Sequence, residues 1–142
     1  MDHIGLCPAD FDASLRFYVD GIGLEVVFDV TLPMDMEAFL GVKTEKARTL
    51  FLAQPGNPGA TRLELLDLYD GRARAEPAGD GLPHRGLTLI SFHVPVDETL
   101  ARLAALGLGG TPRRIRAREG FAATVTDPDG VMVELVDARV SF

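Results

Sequence analysis

The sequence has one cysteine, no long hydrophobic run and too few basic residues to balance its acids. Cys7 cannot form a disulfide within the chain on its own, so the cysteine content gives no indication of an oxidising compartment. No apolar stretch approaches the roughly 20 residues that a membrane-spanning helix needs. The first residues also lack the basic start and apolar stretch of a signal peptide. We therefore expect a cytoplasmic protein with no membrane partner.

The charge balance excludes one class of partner. Against 21 Asp and Glu there are only 14 Lys and Arg, which gives a formal net charge of −7. Binding to nucleic acid requires a basic surface that neutralises phosphates, so a nucleic-acid partner is not expected. The hydrophobic content of 46% and the charged content of 25% are typical of a folded globular chain. Its 142 residues suit one compact domain.

The first half of the sequence, residues 1–69, predicts one strand, one helix and three further strands. Apolar residues recur at helical spacing after a short apolar strand, and Gly23 is placed to end that helix. Between the second and third strands, residues 31–47 form an additional segment with a predicted helix over Met34–Leu40. This insertion is a candidate lid or pocket wall, although a plain surface excursion fits equally well.

The second half, residues 87–142, repeats this order of elements after a polar connection over residues 70–86. Asp97 is the predicted N-cap of its helix. The turn Asp127-Pro128-Asp129-Gly130 joins its last two strands. Two β-α-β-β-β units in one chain indicate an internal duplication within a single α+β domain.

Two histidines and two glutamates fall at corresponding places in the two copies. Superposing the copies places His3 opposite His93, and Glu64 and Glu134 each lie on the last strand of their copy. Strand alternation directs all four away from the apolar face. Two imidazoles and two carboxylates suit a divalent ion such as Zn, Ni, Co, Mn or Fe. Such an ion polarises a carbonyl, and Glu64 or Glu134 would act as the catalytic base.

Three further residues are candidates for the wall of a substrate pocket. Thr124 and Thr126 lie on the strand beside Glu134, and Met132 shares the face of Glu134. Threonine is also simply a common strand residue. A single strand histidine or glutamate is more often hydrogen-bonded or exposed to solvent than bound to metal, so the predicted site depends on the joint placement of all four ligands.

Several motifs across nearly the whole chain resemble those of the vicinal oxygen chelate superfamily. They are His3-Ile4-Gly5-Leu6, Ser14-Leu15-Arg16-Phe17-Tyr18, Gly23-Leu24, Leu63-Glu64-Leu65-Leu66, Phe92-His93-Val94, and Asp127-Pro128-Asp129-Gly130 leading to Glu134-Leu135. This superfamily contains glyoxalase I, methylmalonyl-CoA epimerase, extradiol dioxygenases, and bleomycin and fosfomycin resistance proteins. The resemblance implies two βαβββ modules that form a curved mixed sheet around a central metal cavity, usually in a homodimer. It also implies that His3, Glu64, His93 and Glu134 are the metal ligands.

The resemblance favours a metal-dependent lyase or isomerase of the glyoxalase or epimerase type. Such an enzyme would bind a small substrate through vicinal oxygens and move a proton on the carbon next to a carbonyl. No glutathione-binding constellation is found in the sequence, so the resemblance extends to the reaction type and not to that substrate. Two alternatives stay open: an Fe(II)-dependent extradiol-type dioxygenase, disfavoured by Glu64, and a metal-free drug-binding protein, disfavoured by the complete ligand set.

Overall fold

The computed structural model describes residues 1–33, 35–44, 46–57, 59–68, 86–117 and 120–137. Its strands are β1 (His3–Leu6), β2 (Glu25–Leu32), β3 (Ala47–Ala53), β4 (Arg62–Asp67), β5 (Ile90–His93), β6 (Gly109–Ala117), β7 (Gly120–Thr126) and β8 (Met132–Val136). Its helices are α1 (Phe11–Leu15), which continues as a π-helical segment over Arg16–Ile22, α2 (Met36–Leu40) and α3 (Val96–Ala105). The predicted connection over residues 70–86 lies, apart from Gly86, outside the described residues.

The eight strands form two four-stranded sheets with the same topology. Their strand orders are β1-β4-β3-β2 and β5-β8-β7-β6. In each sheet the first strand pairs in parallel with the last, and the other pairings are antiparallel. The predicted α+β class with a repeated βαβββ unit is therefore confirmed. The edge strands β1 and β5 carry the two predicted histidine ligands.

Three helical segments differ from the sequence-based expectation. The first is α-helical for only five residues before it widens into the π-helical segment, and Gly23 ends it with a φ of 95°. The second begins at Met36, after an Asp35 side chain that accepts a hydrogen bond from the Ala38 amide. In α3 the N-cap is Pro95. Asp97 therefore lies in the first turn, where its carboxylate still interacts favourably with the helix dipole.

One hydrophobic core joins the two sheets with the first helical segment and α3, whereas Met36 of α2 packs with Ala47 and Leu68 in a second, smaller cluster. Leu63 and Leu65 of β4 are buried in the main core, as are Val133 and Leu135 of β8. Phe17 and Tyr18 of the π-helical segment contribute its largest fully buried rings. Because strand side chains alternate, Glu64 and Glu134 lie on the opposite face of each sheet. None of the helices in the described part of the chain is long and apolar enough to span a membrane.

Gly21 lies where the π-helical segment contacts α3. A Cβ atom at this position would overlap the side chain of Leu103, which is only 1% exposed and cannot move aside freely. We expect Gly21→Ala to lower the free energy of unfolding by about 1–3 kcal/mol through overpacking, as measured by urea denaturation. Gly59→Ala is the matched control, since a Cβ there meets nothing within 4 Å. An unchanged midpoint for Gly21→Ala would contradict this close packing.

Candidate functional site

His3 and Glu64 lie next to each other on the face of the first sheet that is directed away from the core. His3 begins the edge strand β1, and Glu64 lies on its parallel neighbour β4. The distance between His3 Nε2 and Glu64 Oε2 is 3.4 Å. Gly5 is the residue paired with Glu64, and a Cβ at Gly5 would lie 3.4 Å from Glu64 Oε2, an ordinary van der Waals contact. The structure thus brings together two of the four predicted ligands.

Asp2 holds the other ring nitrogen of His3. The Asp2 Oδ1 atom lies 2.8 Å from His3 Nδ1, and Arg62 donates to both Asp2 oxygens at 2.8 and 2.7 Å. Hydrogen bonds from His3 and Arg62, together with the charge of Arg62, lower the pKa of Asp2 below its ordinary value. An ionised Asp2 places the proton of a neutral His3 ring on Nδ1. The Nε2 lone pair then faces the Glu64 carboxylate, so the two groups converge on a place suited to a cation or a proton.

Two phenylalanines extend this face of the sheet away from the charged groups. In the strand register Phe51 of β3 pairs with Glu64 on one side and with Phe28 of β2 on the other. The Phe51 ring meets the His3 ring edge-on at 5.2 Å between centroids, and the Arg62 guanidinium lies 5.1 Å from its centre. Phe28 is 51% exposed. An ionic group beside an exposed aromatic surface can bind a small molecule that has both polar and apolar parts.

Sequence reasoning missed three members of this cluster. Asp2 and Arg62 could have been predicted from the sequence, because Asp2 is adjacent to His3 and Arg62 lies on the same strand face as Glu64. Phe51 could not have been predicted, since its position beside Glu64 depends on the register between β3 and β4.

Glu134 occupies the corresponding position in the second sheet but has different neighbours. The Ser91 hydroxyl of β5 donates a hydrogen bond to Glu134 Oε2. Thr124 of β7 pairs with Glu134, and Thr126 pairs with Met132. Thr124 and Met132 are half-buried, whereas Thr126 is exposed. The predicted pocket residues therefore surround Glu134 and not the His3–Glu64 pair.

The strand register determines which positions of β1 and β5 are equivalent. Gly5 pairs with Glu64 and Ser91 pairs with Glu134, so Gly5 corresponds to Ser91. The position two residues before Gly5 is occupied by His3. The position two residues before Ser91 is occupied by Leu89. Leu89, and not a histidine, is therefore the second-sheet equivalent of His3.

The predicted equivalence of His3 and His93 is wrong. His93 pairs with Val136, at the far end of β5 from Leu89. Positions 89 and 93 are four residues apart, which corresponds to about 13 Å of extended chain. His93 is exposed, and its backbone carbonyl accepts a hydrogen bond from the Gln54 side chain. Alternation placed His93 on the correct face but carried no information about its level along the strand.

The donors present fit a divalent ion only in part. His3 and Glu64 have suitable chemistry and spacing. Within the described ranges, no three side chains of His, Cys, Asp or Glu are grouped so that they could hold a metal ion. Glu134 lies in the other sheet beside Ser91, and His93 is out of register. An ion at His3 and Glu64 would therefore need a further donor brought to it.

The Asp127–Gly130 turn has a structural role that connects the two halves of the chain. The Tyr18 hydroxyl donates to Asp127 Oδ2 at 2.7 Å in the buried core. Asp129 accepts from the Ala9 amide at 2.9 Å and from the Ser14 hydroxyl at 3.3 Å, at the start of α1. Burial raises the pKa of Asp127 and that of Tyr18. We name this group the Tyr18–Asp127 clasp; it lies on the core side, away from Glu64.

Comparisons with known proteins agree with the fold and the repeated modules. The family model of the glyoxalase/bleomycin resistance protein/dioxygenase superfamily matches residues 1–135. A lactoylglutathione lyase-like protein from Aspergillus terreus is 32% identical over 146 residues, covering 94% of this chain and 73% of that protein. A glyoxalase family protein from Bacillus cereus superposes with a TM-score of 0.76 at 17% identity, over 95% of this chain and 91% of that chain. TnmS3, an antibiotic binding protein from Streptomyces, superposes with a TM-score of 0.59 at 24% identity, over 96% of this chain and 93% of that one. The chain therefore belongs to the glyoxalase/bleomycin resistance protein/dioxygenase superfamily.

Proposed function

We propose that this protein is a lyase or isomerase that moves a proton on the carbon next to a carbonyl group of a small substrate. The observation that carries the proposal is the His3–Glu64 pair, with 3.4 Å between Nε2 and Oε2 on the open face of the first sheet. The lyase-like relative from Aspergillus terreus supports the reaction type. α-Hydroxycarbonyl compounds are the substrate class with which to begin, because they offer vicinal oxygens and an acidic C–H bond.

Glu64 is the proposed catalytic base. Its side chain is 15% exposed, so the carboxylate reaches the open face while the protein shields most of it. His3 is fixed by Asp2 and faces Glu64, so the two side chains would present their acceptor atoms to the same cation or proton. Phe51 and Phe28 would bind the apolar part of the substrate.

A divalent metal is part of the proposal, with His3 and Glu64 as two of its ligands. Among Zn, Ni, Co, Mn and Fe the donor set selects no single ion. When bound, the ion would supply the positive charge that acidifies the carbon next to the carbonyl. His93 is not proposed as a ligand, because the register places it about 13 Å from the position equivalent to His3.

A homodimer would supply the missing donor, with Glu134 of the partner subunit as the third ligand. Exposed apolar side chains on β2 and α2 support such an assembly: Val26 and Leu32 on the strand, and Phe39 and Leu40 on the helix. Exposed large apolar side chains are typical of an interface when they lie together on a surface. We expect sedimentation equilibrium to give about twice the chain mass, and Phe39→Glu, at a side chain 75% exposed, to lower it. A monomeric wild-type protein would contradict this part of the proposal.

The proposed reaction is tested by exchange of the substrate α-proton with solvent. Incubating α-hydroxycarbonyl compounds with the protein in deuterated buffer should remove the α-proton signal from the NMR spectrum. A set of compounds with alkyl and aryl substituents covers the apolar surface formed by Phe28 and Phe51. Absence of exchange across the set, with and without added divalent metal, would contradict the proposal.

Ligand binding without chemistry is the second candidate function. The aromatic surface formed by exposed Phe28 and half-buried Phe51 favours it, and TnmS3 is described as an antibiotic binding protein. In that case an aromatic ligand would be recovered unchanged, and Glu64→Gln would bind it as the wild type does. The two candidates therefore differ in whether the carboxylate is required.

A further inference from the structure

We propose that α2 and Leu66 form a side wall of the substrate site and limit the width of the group that lies beside Glu64. The inference rests on the proposed function, because Glu64 there marks the position of the reacting carbon. It concerns the additional segment between β2 and β3, for which the sequence allowed either a pocket wall or a surface excursion.

The helix α2 packs on the same face of the first sheet as Glu64. Met36 of α2 is only 1% exposed and is buried together with Ala47 of β3. Leu66 of β4 packs against the same cluster. Because side chains alternate along a strand, Leu66 shares the face of Glu64, whereas Leu65 points into the main core. The additional segment therefore covers part of the face that carries the proposed base, and it is not a plain surface excursion.

The strand register gives the distance between this wall and Glu64. Leu66 pairs with Thr49, and Glu64 pairs with Phe51, so these two pairs form neighbouring rows of side chains. Two residues of a strand span about 7 Å, which is therefore the distance from the Glu64 row to the wall. On the other side of the Glu64 row, the Arg62 guanidinium lies 5.1 Å from the centre of the Phe51 ring. The row thus has an apolar wall on one side and a cationic group on the other.

The Glu64 row is open only toward the edge of the sheet. Phe28 continues the row on the edge strand β2, and it is 51% exposed. Adjacent strands lie about 4.8 Å apart, so the row extends about 10 Å from Glu64 to Phe28. The rings of Phe28 and Phe51 lie 6.0 Å apart between centroids and form its apolar floor. This shape fits α-hydroxycarbonyl compounds with a single aryl ring or an unbranched alkyl chain, whereas a wider substituent meets Leu66.

Binding of two probe compounds that differ in width tests the wall. The narrow probe is α-hydroxyacetophenone, and the wide probe is its analogue with a tert-butyl group at both meta positions of the ring. Isothermal titration of the wild type should show about tenfold tighter binding of the narrow probe. Leu66→Ala should reduce this preference to about threefold or less, because it removes three carbons from the wall.

Leu6→Ala is the matched control, because it shortens another half-buried leucine that packs against the main core instead. It should keep the preference of the wild type. Leu66→Val makes a smaller change if the alanine variant fails to fold, and it should lower the preference by a smaller factor.

Three results of these titrations would overturn the inference. They are an unchanged preference in Leu66→Ala, an equal decrease in Leu6→Ala, and a wild type that binds neither probe. Failure of the proposed reaction is recognised separately, because α-proton exchange would then be absent while the expected order of binding preferences is retained.

Discussion

Replacing Glu64 with glutamine should reduce α-proton exchange by about 10²–10⁴-fold, the usual contribution of a positioned general base. Glutamine keeps the size and polarity of the side chain but cannot accept a proton at neutral pH. The residue lies on the open face and is not part of the core, so we expect the midpoint of thermal unfolding to change little. Exchange rates measured by NMR on the wild type and the variant give the ratio directly.

Glu134→Gln is the matched control for this experiment, because Glu134 is the equivalent residue of the second sheet. Its carboxylate already accepts a hydrogen bond from Ser91, whereas Glu64 faces the His3 ring. We therefore expect a smaller loss of exchange for Glu134→Gln than for Glu64→Gln. The opposite order would transfer the role of base to Glu134. Equal and small effects for both variants would mean that neither carboxylate is the catalytic base.

The sequence was sufficient to predict which face each candidate residue occupies. Leu63 and Leu65 alternate with Glu64, and Val133 and Leu135 alternate with Glu134, so burial of the leucines and valine directs both carboxylates outward. This information is local and has a period of two. The face that a strand residue occupies can therefore be predicted without knowing which strands are neighbours.

The sequence did not predict which residue of a neighbouring strand each candidate residue pairs with. His93 shares a face with Ser91, but whether it lies beside Glu134 depends on the parallel pairing of β5 with β8. The contact of Phe51 with His3 likewise depends on the pairing of three strands. Pairing of distant segments is decided by packing of the whole sheet and not by local pattern. The fold was thus predictable, and the complete ligand set was not.

The Tyr18–Asp127 clasp should be the most sensitive point of the molecule to loss of stability outside its apolar core. Asp127 Oδ1 accepts the amides of Asp129 and Val131 at 2.9 and 2.7 Å, while Oδ2 accepts the Tyr18 hydroxyl. Asp127→Ala leaves these three donors without their acceptor in a buried place. We expect the free energy of unfolding to fall by about 2–4 kcal/mol, as measured by urea denaturation at neutral pH.

Asp127→Asn tests whether the Asp127 side chain stabilises the fold through its hydrogen bonds or through its charge. Its amide oxygen can still accept the two backbone amides, and the Tyr18 hydroxyl can turn to accept from its NH₂ group. We expect a loss of less than half of that seen for Asp127→Ala. A loss as large as that of the alanine variant would show that the carboxylate charge itself, and not the hydrogen bonds, holds the clasp together.

The difference in stability between the wild type and Asp127→Asn should change with pH in one direction. Burial raises the pKa of Asp127 above the ordinary value of about 3.9. Its protonation therefore stabilises the fold below that value, and this contribution is lost as the pH rises through the raised pKa. The neutral asparagine has no such loss, so the stability of wild type relative to Asp127→Asn should decrease from pH 3 to neutral pH. Asp29 beside Arg48 has a lowered pKa and the opposite trend, but it is common to both proteins and cancels.

Tyr18→Phe completes the comparison, because it removes the hydroxyl and keeps the buried ring. The double variant with Asp127→Ala should lose less stability than the sum of the two single variants, since both remove the same hydrogen bond. The clasp joins the first helix of one βαβββ unit to the last turn of the other. Additive losses would mean that Tyr18 and Asp127 act independently.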